Sequence, residues 1–169
     1  MKIILIEDHQ AYRKSVVSEF ESKGVNIGRD VIQGGLWDSS KKVLSAFTPK
    51  LGEPTVLVVD STLNYKENQE DGIIGNGFGL AAEWLQDLIR RYEAEGKTGE
   101  TADLTRNLHV VLNPSDWRYN AGSDYELLRR ICDIKGISLL ESDKSKEEIV
   151  EAVLKISNFD EGKRRGERR

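Results

Sequence analysis

The sequence predicts a single α/β domain in which helices cover both faces of a parallel sheet. Its 169 residues suffice for one well-buried domain, and 38% hydrophobic and 32% charged residues are typical of a soluble globular protein. Short runs of aliphatic residues alternate along the chain with longer amphipathic segments. Alternation of this kind predicts parallel strands that are joined by helical crossovers.

Five short apolar runs predict the strands of this sheet. The run at residues 55–60, Thr-Val-Leu-Val-Val-Asp, has the β-branched content and the short length of a strand buried on both faces. Gly28 is expected to weaken or bulge the second strand. The predicted strands are residues 2–6, 25–32, 55–60, 108–112 and 137–140.

Five amphipathic segments predict helices between and after these strands. In the third, Leu80 and Trp84 recur at the spacing that places apolar side chains on one helix face. Asp38 or Ser39 is expected to cap the second helix, and Ser-Lys-Glu-Glu at residues 145–148 is a capping box that opens the fifth. The predicted helices are residues 10–23, 38–47, 79–94, 123–134 and about 146–156.

The order of these elements predicts a topology. Right-handed crossovers leave few solutions, and the strand order 2-1-3-4-5 fits best, which is a flavodoxin-like three-layer sandwich with five strands and five helices. One domain is predicted over residues 1–157, with insertions at about 64–78 and 95–107, because these connections exceed the usual length of about two to six residues. Residues 158–169 are polar and basic and are predicted to form a flexible tail.

Acidic residues follow two of the predicted strands. Glu7 and Asp8 come directly after the first strand, and Asp60 closes the third. In the predicted order these strands are neighbours at the switch point, the edge at which open α/β sheets bind ligands. The three carboxylates are therefore expected to converge there. Oxygen ligands of this kind suit Mg²⁺, and without a cation such close carboxylates would raise one another's pKa values.

Two motifs resemble the receiver domain of bacterial response regulators. They are Ile-Leu-Ile-Glu-Asp-His at residues 4–9 and Val-Leu-Val-Val-Asp at residues 56–60. The segment at residues 136–153 has the rhythm of the family's last strand and helix, and Gly79 resembles the glycine that opens its third helix. The resemblance covers about residues 1–157.

The resemblance implies autocatalytic transfer of a phosphoryl group to Asp60, the phosphoacceptor. It implies that Asp8 binds Mg²⁺ directly and that Glu7 binds it through water. Further oxygens would come from Asp60 and from the backbone carbonyl of Thr62. The metal would offset the repulsion among the carboxylates and the incoming phosphoryl group.

The chain departs from the family pattern at the two switch positions. Strand four of a receiver ends in Thr or Ser, but here the equivalent residue is Asn113. Ser115 substitutes only if the turn at Pro114 folds back. Strand five of a receiver ends in Lys. Here the position falls on Glu141 or Ser142, and the nearest ammonium group is that of Lys144.

Three functions follow as alternatives. The first is a stand-alone, atypical receiver domain that acts in a phosphorelay by contact with a histidine kinase or an output protein, or as a homodimer, through about residues 124–156. The second is a pseudo-receiver, an interaction module that is independent of phosphorylation. The third is a Mg²⁺-dependent phosphohydrolase, against which Thr62 counts because it occupies the position of the general acid in an Asp-x-Asp motif.

Composition argues against several other classes of protein. The net charge of −4 argues against nucleic-acid binding by the whole surface, and no apolar run approaches the roughly 20 residues that span a bilayer. The N-terminus lacks the features of a signal peptide, and Cys132 is the only cysteine, so a cytoplasmic location is expected. The glycine-rich residues 72–79 lack the Lys-Ser/Thr of a P-loop.

Overall fold

The protein is an α/β sandwich built on a five-stranded parallel sheet. The computed structural model describes residues 1–65, 74–113, 122–141 and 145–166. The sheet has the order β2-β1-β3-β6-β7, and every neighbouring pair in it is parallel. These strands are β1 (Lys2–Ile6), β2 (Val31–Gly34), β3 (Thr55–Asp60), β6 (Leu108–Asn113) and β7 (Ser138–Glu141).

Seven helices and a separate two-stranded hairpin complete the part of the chain that the structure describes. The hairpin pairs β4 (Thr62–Asn64) with β5 (Ile74–Asn76) in antiparallel fashion. The helices are α1 (Gln10–Ser22), α2 (Ile27–Asp30), α3 (Trp37–Ala46), α4 (Gly77–Ala94), α5 (Thr98–Arg106), α6 (Gly122–Lys135) and α7 (Lys146–Gly166).

Two hydrophobic cores lie on opposite faces of the sheet, because successive side chains of a strand point to opposite sides. In β3, Leu57 and Val59 face the core beneath α3, α4 and α6, whereas Val56 and Val58 face the core beneath α1 and α7. All six residues of β3 are buried, as expected for the central strand of a covered parallel sheet. The flavodoxin-like three-layer architecture follows from this arrangement.

The predicted second strand, residues 25–32, is wrong over most of its length. Residues 27–30 form the single turn α2, and the strand begins only at Val31. The side chain of Asn26 accepts a hydrogen bond from the backbone N–H of Arg29 at 3.1 Å. This local cap favours a helical turn over an extended chain.

The hairpin changes the strand numbering and fills part of the first predicted insertion. The predicted order 2-1-3-4-5 becomes 2-1-3-6-7, because β4 and β5 intervene along the chain and form a sheet of their own. Each has only three residues, and β5 contains Gly75, so neither carries a recognisable apolar pattern. Residues 66–73 lie outside the described part of the chain.

The predicted count of five helices is also wrong, because α2 and α5 were not expected. Helix α5 lies in the predicted insertion at residues 95–107. The helix is mostly polar, and its buried residues are Leu104 and Thr105. Helix α3 begins at Trp37 with Leu36 at its N-cap, where no side chain accepts a capping hydrogen bond, so neither Asp38 nor Ser39 is the cap.

Two predicted helices are longer than expected. Helix α4 begins at Gly77, since the Asn76 side chain caps it by accepting from the N–H groups of Phe78 at 3.0 Å and Gly79 at 3.1 Å. Helix α7 continues to Gly166, past the predicted domain end at residue 157. Among the described residues, no helix combines the length and the apolar character needed to cross a membrane.

Candidate functional site

Three carboxylates meet at the C-terminal edge of the sheet. Strands β1 and β3 are direct neighbours with Ile6 opposite Val59, so the residues that follow them emerge side by side. Glu7, Asp8 and Asp60 each offer a carboxylate oxygen within 4.8 Å of the others. The structure thus brings together the three acidic side chains that the strand pattern placed at this edge.

Glu7 is the most constrained member of this acidic cluster. Its side chain is 3% exposed. Oε1 accepts from the backbone N–H of His9 at 2.9 Å, and Oε2 accepts from the side-chain amide of Asn113 at 2.7 Å. Burial, followed by the negative charge of Asp60, raises the pKa of Glu7 to about 8. In the absence of a cation, Glu7 therefore holds a proton near neutral pH.

Asp60 is the last residue of β3 and is 5% exposed. Its Oδ1 accepts from the backbone N–H of Ser61 at 2.7 Å. The start of α4 packs tightly over its main chain, because a Cβ atom added at Gly77 would lie 1.8 Å from the Asp60 carbonyl oxygen. Only glycine fits there, so the α4 N-terminus fixes the backbone of the candidate phosphoacceptor.

Asp8 is the more accessible acidic residue, being half-buried. Its Oδ2 accepts from the backbone N–H of Asn64 at 2.7 Å. That amide belongs to β4, so the inserted hairpin holds the third carboxylate of the cluster. Sequence reasoning missed Asn64, because the contact joins positions distant in the chain through an unpredicted strand.

Asn113 ends β6 opposite Asp60, which is where the switch hydroxyl of a receiver was expected. Its amide is 5% exposed and donates to Glu7, while its Oδ1 accepts from the Tyr12 hydroxyl at 3.4 Å. Asn113 therefore ties β6 to β1 and to helix α1. Ser115, the alternative at this position, lies outside the described residues.

Glu141 ends β7 opposite Leu112, one register step before Asn113. Its exposed side chain accepts a hydrogen bond from the Tyr125 hydroxyl of α6. Burial and the neighbouring Glu141 carboxylate raise the pKa of Tyr125 to about 12. The carboxylate is thus engaged at the α6 side, and Ser142 and Lys144 lie outside the described residues.

Thr62 opens β4, opposite Asn76 in the hairpin, and is half-buried. It stands two positions after Asp60, at the root of the hairpin, where Gly77 N–H donates to the Ser61 carbonyl at 2.9 Å. That the Thr62 carbonyl binds a metal stays a prediction.

Several neighbours of the site have structural roles. His9 caps α1, because its Nδ1 accepts from the backbone N–H of Tyr12 at 3.1 Å, as expected for a residue at a helix start. Arg13 donates to the Glu7 carbonyl at 2.6 Å and so places a guanidinium against the main chain beside the cluster. Cys132 is buried in the core, and burial raises its thiol pKa to about 12, as is typical of a structural cysteine.

The cluster suits a hard divalent cation. Its donors are carboxylate oxygens, three of which are oriented by the backbone amides of His9, Ser61 and Asn64. Such preorganised oxygen ligands are what Mg²⁺ and Ca²⁺ require. A bound cation would also favour the ionised form of Glu7, whose pKa is raised first by burial and then by the negative charge of Asp60. The residues that are present therefore fit a metal of this class.

Comparison with known proteins adds no family assignment. No protein-family model matches the chain, and no curated protein matches it.

Proposed function

We propose that the chain is an atypical response-regulator receiver domain that binds Mg²⁺ and accepts a phosphoryl group on Asp60. The observation that supports this best is the convergence of Glu7, Asp8 and Asp60 at the ends of adjacent parallel strands. Their order, two acids after β1 and one at the end of β3, is the order that receivers use. The sheet and its helices provide a matching scaffold.

The proposed chemistry is a single displacement at phosphorus. A carboxylate oxygen of Asp60 forms the new P–O bond while the bond from phosphorus to the donor breaks, and the donor leaves with its electron pair. With acetyl phosphate as donor, acetate leaves. Glu7, Asp8 and the Thr62 carbonyl would hold Mg²⁺, which supplies positive charge to the phosphoryl oxygens. Ser61 N–H orients the attacking carboxylate.

A pseudo-receiver is the second candidate, and the residues at two positions favour it. Asn113 and Glu141 carry neither the hydroxyl nor the ammonium group that responds to phosphate in a receiver, and their side chains already bond to Glu7 and to Tyr125. In this alternative the acidic cluster still binds a cation, and the domain serves as an interaction module whose output does not depend on phosphate.

The proposed partners are a histidine kinase, an output protein or a second copy of the chain. Within about residues 124–156, α6 exposes Leu127 and Ile134, and β7 exposes Leu140. Strand β7 is the edge of the sheet, where the chain is accessible to another protein.

Phosphorylation by a small donor tests the proposal. The protein is incubated with Mg²⁺ and acetyl phosphate, and its intact mass is measured beside that of Asp60→Asn. One phosphoryl group on the wild type and none on the variant is expected. No adduct under conditions that label an ordinary receiver would refute the phosphoacceptor and leave the pseudo-receiver. Sustained hydrolysis of a phosphate ester would instead point to a phosphohydrolase.

A further inference from the structure

The β4–β5 hairpin connects the acidic cluster to helix α3. Its root lies at the cluster, since Gly77 N–H donates to the Ser61 carbonyl at 2.9 Å. One step along β4, the Asn64 N–H donates to Oδ2 of Asp8 at 2.7 Å. The position of this amide, and with it the orientation of the Asp8 carboxylate, depends on where the hairpin sits.

The indole of Trp37, the first residue of α3, holds the other side of the hairpin. A Cβ atom added at Gly75 would lie 2.2 Å from Cδ1 of Trp37, so the ring rests directly on the β5 backbone. The ring centroids of Trp37 and Tyr65 are 5.1 Å apart at an interplanar angle of 37°. Tyr65 directly follows Asn64, the residue that holds Asp8.

The indole is itself fixed on α3. The Lys41 ammonium, one helical turn further along α3, lies 5.0 Å from the ring centroid of Trp37, within the range of a cation–π contact. Trp37 also packs against the core that α3 and α4 share. Helix α3 therefore carries a large side chain, Trp37, that packs against the hairpin.

From these contacts we propose that Trp37 is a positioning residue for the metal site, acting through the β4–β5 hairpin on Asp8. This inference rests on the proposed binding of Mg²⁺ by the acidic cluster. Groups that orient a metal ligand from outside typically change metal affinity about 10- to 100-fold. Because coupling free energies are reciprocal, Mg²⁺ binding must equally favour the packed position of Trp37. The metal site is therefore linked to the N-terminal end of α3.

Calorimetric titration with Mg²⁺ alone tests the proposal. Trp37→Ala is expected to weaken Mg²⁺ binding about tenfold, and Trp37→Phe, which keeps a ring over Gly75, is expected to restore most of it. Gly75→Ala disrupts the same contact from the hairpin side, because its Cβ would clash with the Trp37 indole. It is expected to weaken Mg²⁺ binding to a similar extent. Neither position contributes a carboxylate to the cluster.

Two control variants separate positioning from a general loss of stability. Phe47→Ala removes an aromatic side chain that packs against the same core at the other end of α3. Gly99→Ala adds a methyl group where no atom lies within 4 Å. Both are expected to bind Mg²⁺ as the wild type does, and thermal melts without metal confirm that each variant is folded.

A spectroscopic readout tests the reciprocal effect. In protein labelled with fluorotryptophan, the ¹⁹F resonance of Trp37, assigned by its loss in Trp37→Phe, is expected to shift on saturation with Mg²⁺. Unchanged affinity in both Trp37→Ala and Gly75→Ala, or an unmoved Trp37 resonance, overturns the role of Trp37. Failure of the wild type to bind Mg²⁺ at all overturns the metal site and this role together.

Discussion

The side-chain amide of Asn113 donates a 2.7 Å hydrogen bond to Oε2 of Glu7, joining the ends of β6 and β1 across the end of β3. Both partners are almost fully buried, at 5% and 3% exposure. Asp60 ends the strand between them, so the bond forms part of the wall of the acidic cluster. Asn113 therefore braces the ends of these strands against each other.

Removal of this brace should destabilise the fold. Asn113→Ala leaves a buried carboxyl oxygen of Glu7 without its donor, which costs about 1–3 kcal/mol of unfolding free energy. Urea denaturation at neutral pH measures the loss. Asn107→Ala is the control, because the Asn107 amide donates to Asp103 within the half-buried C-terminal turn of α5. Equal stability of Asn113→Ala and the wild type would contradict the brace.

The raised pKa of Glu7 predicts how stability depends on pH in the absence of metal. The folded-state pKa, about 8, lies above the ordinary glutamate value of 4.5, so folding favours the protonated form. This contribution to stability is fully present below the unfolded pKa and is lost as the pH rises through about 8. Unfolding free energies in the presence of a chelator should therefore fall between about pH 5 and about pH 9.

Glu7→Gln provides the control for this pH dependence. The amide keeps the shape of the protonated carboxyl group and does not ionise, so the fall in stability over this interval should shrink markedly. If the unfolding free energy of Glu7→Gln fell with pH as steeply as that of the wild type, groups other than Glu7 would cause the fall.

A divalent cation should stabilise the folded protein by offsetting the repulsion among the three carboxylates. A ligand that binds only the folded state at about 100 times its Kd adds about 2.7 kcal/mol to the unfolding free energy. Mg²⁺ is therefore expected to raise the melting temperature of the wild type, and Asp8→Asn should lose most of that increase. Glu126→Gln removes an equal charge from an exposed position on α6 and should respond like the wild type. Equal shifts in both variants would indicate non-specific screening.

The close approach at Gly77 predicts a strong effect of a single methyl group. Gly77→Ala would place its Cβ 1.8 Å from the Asp60 carbonyl oxygen, so either α4 or the end of β3 must move. Overpacking of this kind costs about 1–3 kcal/mol or more. Chemical denaturation of Gly77→Ala beside Gly99→Ala measures the difference, and equal stability of the two would contradict the packing described.

The parts of the fold that sequence patterns predict are those in which burial dominates. Strands β1, β3 and β6 are recognisable because a strand covered on both faces is apolar along its length. The acidic cluster is predictable for a related reason, since parallel strands deliver whatever follows them to one edge of the sheet. The convergence of Glu7, Asp8 and Asp60 could therefore be predicted from the order of the strands alone.

The parts that were missed depend on local caps or on distant contacts. Helix α2 forms because Asn26 caps it, which outweighs the strand-like composition of its surroundings. The hairpin strands are too short to show a pattern, and no periodicity reveals the contact of Trp37 with Gly75. Asn64 acts through its backbone, so its residue type carried no signal at all.

The buried thiol of Cys132 makes the protein well suited to site-directed labelling. Burial raises the pKa of this thiol to about 12, so it is protonated at neutral pH, and the side chain lies in the core. The sequence contains no other cysteine. A cysteine introduced on the surface, for example near the hairpin or on α3, would be the sole reactive thiol, so spin labels or dyes could report distances without altering the native core.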